Sequence, residues 1–277
     1  MFLSSLLIDL GSNPDRPRPG RLWLRNLYHV HQRLCMAFPS DRRTRLDPEF
    51  LGPYDPWDFP EQRHLADKSK KKSEVGSHIL SQVHTNRDQD SGFLFRIDPL
   101  PGGRAMILVQ SALRPGWDYA FHNASFLAAC EVKLFNPDFQ MGQSLRFRLL
   151  ANPTKRLSNH SLEADGQPIE KKWEGKRVPV RDEQLFDWLA RRAEPAGFSV
   201  KEESTTIQSG YVYWHKKRTQ DDKGQRLRSV RYDGILQVTE PARLRETIIH
   251  GLGPGKAFGF GLLSLAPCQN PLAAEVT

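Results

Sequence analysis

Cysteine is scarce: Cys35, Cys130 and Cys268 lie far apart and form no Cys-x-x-Cys pair. That excludes a disulfide framework and a thiolate zinc centre and fits a reducing compartment, so a cytoplasmic protein is expected. No stretch approaches the ~20 apolar residues of a membrane-spanning helix. The start, Met1-Phe-Leu-Ser-Ser-Leu-Leu-Ile-Asp-Leu10, lacks a basic region, a long apolar core and a small-residue cleavage signal. We therefore expect a soluble, unexported chain with no membrane partner. Clusters of Asp, Glu and His with a convincing ligand spacing are also missing, so neither a metal nor another cofactor is expected. His29 and His31 are two apart, and on a helix such residues point about 200° from one another, too far to share an ion comfortably.

Basic charge, by contrast, is in excess. Lys and Arg number 40 against 32 Asp and Glu, a net charge of +8, and a polyanionic partner follows. The excess is uneven: 18 against 16 in residues 1–140, and 22 against 16 in 141–277. The basic surface should lie in the second half.

With 277 residues there is room for two ordinary domains. Residues 2–9 read as a strand and 11–20 as a loop. Trp23, Leu27, Val30, Leu34 and Ala37 or Phe38 recur at helical spacing, predicting one helix that Pro39 stops. Tyr28 and His31 stand beside each other on the edge of that stripe and form the first candidate site. The Pro-, Asp- and Lys-rich stretch 40–92, with Lys68, Lys70, Lys71 and Lys72, reads as an insertion. Phe93–Ile97 and Ala105–Gln110 predict a hairpin. Leu145-Arg-Phe-Arg-Leu-Leu150 alternates apolar with basic, like a strand with one face on a core and the other toward a polyanion. Residues 181–192 predict an amphipathic helix, and strands follow near Gly210–Trp214 and Leu227–Val238. The pattern is an α+β sandwich occurring twice, with a boundary near residue 140.

Two basic features remain. The segment 213–231 carries seven Lys or Arg, including Lys216, Lys217 and Arg218, and reads as a hairpin with its tip at Asp222-Lys-Gly224. Such a ribbon can lie along a duplex, or simply be solvated. The run Gly251-Leu-Gly-Pro-Gly-Lys-Ala-Phe-Gly-Phe-Gly261 is no Walker loop, because His250 and Ala257 occupy the positions that need Gly and Ser or Thr. It is no Rossmann fingerprint either, since it opens no βαβ unit. Its bare backbone at Gly253, Gly255, Gly259 and Gly261 can approach a phosphate chain, with Lys256 adding charge. A tight turn into a last strand is the competing reading.

Leu27-Tyr-His-Val-His-Gln32, Phe147-Arg-Leu-Leu-Ala-Asn-Pro153 and the glycine run ending Gly261-Leu-Leu-Ser-Leu-Ala-Pro267 together resemble the CasE family of CRISPR-repeat RNA endonucleases from type I-E systems, in the RAMP superfamily. The resemblance implies two tandem ferredoxin-like (RRM-like) domains, 1–140 and 141–277, with the C-terminal glycine-rich loop against RNA. It places the catalytic histidine at His31 and its tyrosine at Tyr28. Where some members have a serine eight residues beyond the histidine, Pro39 stands here. The implied partners are a CRISPR repeat hairpin and the other subunits of Cascade, with the enzyme retained on its product. RNA carries its own nucleophile, so a ribose 2′-hydroxyl aligned with the phosphorus gives a 2′,3′-cyclic phosphate without a metal, with His31 as general acid or base. Phosphate contacts are then expected from Arg146, Arg148, Lys155, Arg156, Lys216, Lys217 and Arg218. A non-catalytic RAMP-type RNA-binding subunit is the alternative.

Overall fold

In a computed structural model, the described residues are 1–38, 92–122, 124–157, 175–214 and 225–268. The expected insertion, apart from Gly92, lies outside them, as do the basic hairpin tip, Lys216, Lys217 and Arg218. The chain divides into two compact units. The first holds Met1–Asn136, Tyr213–Gln225 and Ala257–Gly259; the second holds Pro137–Val212, Arg226–Lys256 and Phe260–Thr277.

The first unit is built on a four-stranded sheet of β1 (Phe2–Asp9), β2 (Phe93–Leu100), β3 (Arg104–Ser111) and β4 (Leu127–Leu134), in the order β2-β3-β1-β4. All its pairings are antiparallel. Alternation along β1 turns Ser4, Leu6 and Ile8 to one face, opposite Val109, Ile107 and Ala105 of β3, and all six are buried. Helices α1 (Pro19–Leu24), α2 (Leu27–Met36) and α3 (Trp117–Ala120) pack on that face, and Phe95 of β2 joins the core. Val30 and Leu34, at i and i+4 on α2, are fully buried, each contributing roughly 1.5–3 kcal/mol of transfer free energy.

The helix predicted as one piece from Trp23 to Phe38 is two. Asn26 sits in the extended region, and its side-chain oxygen accepts from the Tyr28 amide at 3.2 Å. A short polar side chain of this kind competes with the helical backbone bond and begins a new helix instead. Trp23, in the last turn of the first helix, packs edge-on against Phe121.

The second unit has its own sheet, of β5 (Ser144–Ala151), β8 (Phe198–Trp214), β9 (Gln225–Val238) and β10 (Leu263–Pro267), in the order β10-β5-β9-β8. Helices α4 (Leu185–Ala193) and α5 (Pro241–His250) accompany it, and β6 (Thr154–Arg156) pairs with β7 (Arg177–Pro179) as a separate ladder. In both units the first strand lies between the fourth and the third, and the second is at the edge, which is the ferredoxin-like order. The predicted alternation of β5 holds: Leu145, Phe147 and Leu149 are buried, while Arg146 and Arg148 turn to the other face. The buried Tyr232 hydroxyl donates to the Leu185 carbonyl at 3.1 Å, tying β9 to the start of α4, and burial pushes its ionisation well above the usual range. Strand β8 begins twelve residues before the predicted one, because its first half is a largely exposed, polar stretch without clean alternation.

Candidate active site and nucleic-acid interface

Capping by Asn26 sets the first turn of α2 and so fixes where Tyr28 and His31 stand. The His31 ring lies over Phe93 of β2, with centroids 5.5 Å apart and planes 28° from parallel, and Phe95 follows at 6.3 Å. Its Nε2 is 3.6 Å from Sγ of Cys35, the buried residue one turn further along the helix. A thiol is a weak donor and a weak acceptor, so this contact holds the ring without fixing its tautomer. The other nitrogen, Nδ1, is buried. The imidazole is thus seated against Phe93, Phe95 and Cys35.

Tyr28 borders a second set of rings. Trp214, the last residue of β8, lies 6.3 Å from it, and Phe258 lies 4.8 Å from Trp214. Trp214 and Phe258 were not among the sequence candidates, although an aromatic flanking a basic run, and another inside the glycine run, are the residue types that stack on bases. The indole Nε1 of Trp214 is buried and finds no acceptor among the described residues, which leaves a donor beside Tyr28. Arg33, two residues beyond His31, lies over Trp23, Phe121 and Phe126 and donates to the Ala120 carbonyl at 3.2 Å, so it serves the core.

All five glycines from Gly251 to Gly261 have positive φ. The constraint is sharpest at two of them. At Gly259 a Cβ would stand 3.1 Å from Cε2 of Phe95, and at Gly255 it would stand 2.9 Å from Cδ2 of Phe260. Both positions therefore need glycine for backbone conformation and for space. The loop is closed by Leu252 N–H donating to Gly261 O at 2.9 Å and Gly261 N–H to Leu150 O at 2.8 Å. The competing reading of a tight turn into a last strand is satisfied, since β10 follows directly. Phosphate contact is not needed to explain these glycines.

The basic candidates fall into distinct places. Tyr28, His31 and Gly259 belong to the first unit; Gly253, Gly255, Lys256 and Gly261 belong to the second. Arg146 and Arg148 share the polar face of β5. Arg148 is partly spent: its Nε is 2.5 Å from Oδ1 of Asp233, whose Oδ2 is 2.6 Å from Nε of Arg231. Lys155 and Arg156 stand exposed on β6, where Arg156 is directly opposite Arg177. Among the described residues no group of three or more His, Cys, Asp and Glu is placed to hold a metal ion, and no helix is long and apolar enough to cross a membrane.

A family model described as "CRISPR associated protein" matches residues 59–267; that span takes in β5 and the glycine loop and begins after α2. The CRISPR-associated endoribonuclease Cse3 of Thermus thermophilus is 34% identical over 214 residues, covering 74% of this chain and 93% of that protein. The CRISPR system Cascade subunit CasE of Escherichia coli is 26% identical over 270 residues, covering 96% and 100%. A solved structure of the CRISPR endoribonuclease Cse3 bound to a 19-nucleotide RNA superposes with a TM-score of 0.63 at 28% identity, over 96% of this chain and all of that one. The two ferredoxin-like sheets and these likenesses agree: the chain belongs to the CasE family of CRISPR-associated endoribonucleases.

Proposed function

We propose that this chain cuts CRISPR precursor RNA at repeat hairpins and stays on the mature guide RNA as a subunit of Cascade. The observation that carries the reading to particular residues is the placing of Tyr28 and His31 on one turn of a capped helix, with the His31 ring seated on Phe93. The first domain, 1–140, does the cutting, and the second, 141–277, grips the RNA.

In this mechanism the RNA brings the nucleophile. The 2′-hydroxyl attacks the adjacent phosphorus in line, the P–O5′ bond breaks, and the products are a 2′,3′-cyclic phosphate and a 5′-hydroxyl. One proton leaves the 2′-oxygen and one arrives at the departing 5′-oxygen; His31 handles one of these transfers. To do so its ring turns out of the pocket beside Cys35, a rotation about side-chain torsions that leaves α2 unchanged. Tyr28 orients the hydroxyl or the phosphate, and the indole N–H of Trp214 is a further donor at hand. No metal takes part.

Affinity comes from phosphate contacts by Arg146, Arg148, Lys155, Arg156, Lys216, Lys217 and Arg218, from Lys256, and from the loop backbone at Gly253, Gly255, Gly259 and Gly261, so it falls steeply with salt. The protein works in the cytoplasm, where the transcript and the other Cascade subunits are found. The test is to incubate it with repeat hairpins in EDTA and map the product ends: cleavage to a cyclic phosphate is expected, and activity that vanishes with EDTA overturns the mechanism.

A further inference from the structure

Within the second unit, a cleft of about 430 Å³ opens where the ends of α4 and α5 meet the start of the glycine loop. Its lining includes Arg177 of β7, Arg192 from the last turn of α4, Lys256, and the backbone of Gly251-Leu-Gly-Pro254. The described lining residues include three cations, Arg177, Arg192 and Lys256, and no carboxylate. Arg177 also sits directly across the ladder from Arg156, and like charges in that position repel. A fold that keeps this repulsion gains when an anion arrives to relieve it.

The geometry points to a phosphate site for an unpaired nucleotide of RNA flanking the hairpin, with Arg177 and Arg192 as its ligands. This rests on the reading of the chain as a repeat-RNA binder and adds to it a second place on the strand. Cleft size selects the substrate form: 430 Å³ suits a single nucleotide-sized group, whereas a paired stem is a rod far too thick to enter. Arg156, exposed and directly across the ladder, extends the positive charge beside Arg177. Cations grouped in this way suit the backbone of a single strand, which bears a phosphate at every residue. Arg192 lies with its guanidinium 5.9 Å from the Trp188 ring centroid, which holds the charge at the cleft wall.

The experiment compares three RNAs on the full-length protein: the bare hairpin, and the hairpin extended by unpaired nucleotides at its 5′ or its 3′ end. One extension should tighten binding about tenfold and steepen the salt slope by about 0.7 for each phosphate held. In the double variant Arg177→Gln/Arg192→Gln that gain should disappear while bare-hairpin affinity stays within about twofold, which also reports that the variant is folded. Arg177→Lys/Arg192→Lys should restore most of it. No gain in the wild type, or equal weakening of bare and extended RNAs in the Gln variant, overturns the inference and leaves the proposed function standing. Failure of the wild type to bind any hairpin overturns both. Loss of the gain on adding millimolar mononucleotide, with the bare hairpin unaffected, reassigns the cleft to free nucleotides and overturns the strand site.

Discussion

The Nε2 of His31 lies 3.6 Å from the Sγ of Cys35, one helical turn away. The ring that should move a proton is therefore held by a weak partner in the free protein, and RNA must compete with that contact. Contacts of this kind are worth about 0.5–1 kcal/mol. Cys35→Ala should raise the single-turnover cleavage rate about two- to threefold, by releasing more rings to the RNA-facing rotamer. An unchanged or slower rate would show that the thiol does not restrain the ring.

His31→Ala should lower the cleavage rate in EDTA by at least about 10²-fold, the usual contribution of a positioned acid or base. Hairpin affinity should stay within a few-fold, since Phe93 and Phe95 remain in place. Single-turnover kinetics beside filter binding separate the two effects, and a fully active variant removes His31 from the chemistry.

Gly259→Ala should cost about 1–3 kcal/mol, because φ there is +82° and the new methyl meets Phe95 at 3.1 Å. The same change at Gly210, which has open space around it, serves as the control. Thermal melts should drop by several degrees for the first and hardly at all for the second.

Asp233 neutralises part of the charge on both Arg148 and Arg231. Asp233→Asn should therefore tighten hairpin binding and steepen the dependence of log K on log salt by about 1, whereas Arg146→Ala should flatten it by about 1. Titrations at several salt concentrations decide; no change in slope for either variant would place the RNA elsewhere.

How much of this could be read from the chain alone depended on whether the deciding interaction was local. The alternation of β5 and the stripe Val30, Leu34 and Phe38 were legible because burial repeats with the period of the element. The break before α2 was not, because it hangs on one Asn26 side chain choosing the backbone of Tyr28. Helix α5 had its signals, Pro241 at the start and Gly251 at the stop, but only Leu244 and Ile248 are buried on it, too thin a stripe to stand out. At the site, Tyr28 and His31 were legible as neighbours on a helix. Trp214 and Phe258 were not, since contacts between residues so far apart in sequence leave no periodic trace. The glycine loop left phosphate binding and a tight turn both open, because the contacts of Gly259 with Phe95 and of Gly255 with Phe260 have no signature in the run itself.

Both sheets follow the same strand permutation, so α4 holds in the second unit the topological station that α2 holds in the first. One helix there carries Tyr28 and His31; its counterpart carries the buried Trp188 and, one turn on, Arg192. A doubled scaffold of this kind lets one copy change its side chains while its twin keeps the shared backbone frame.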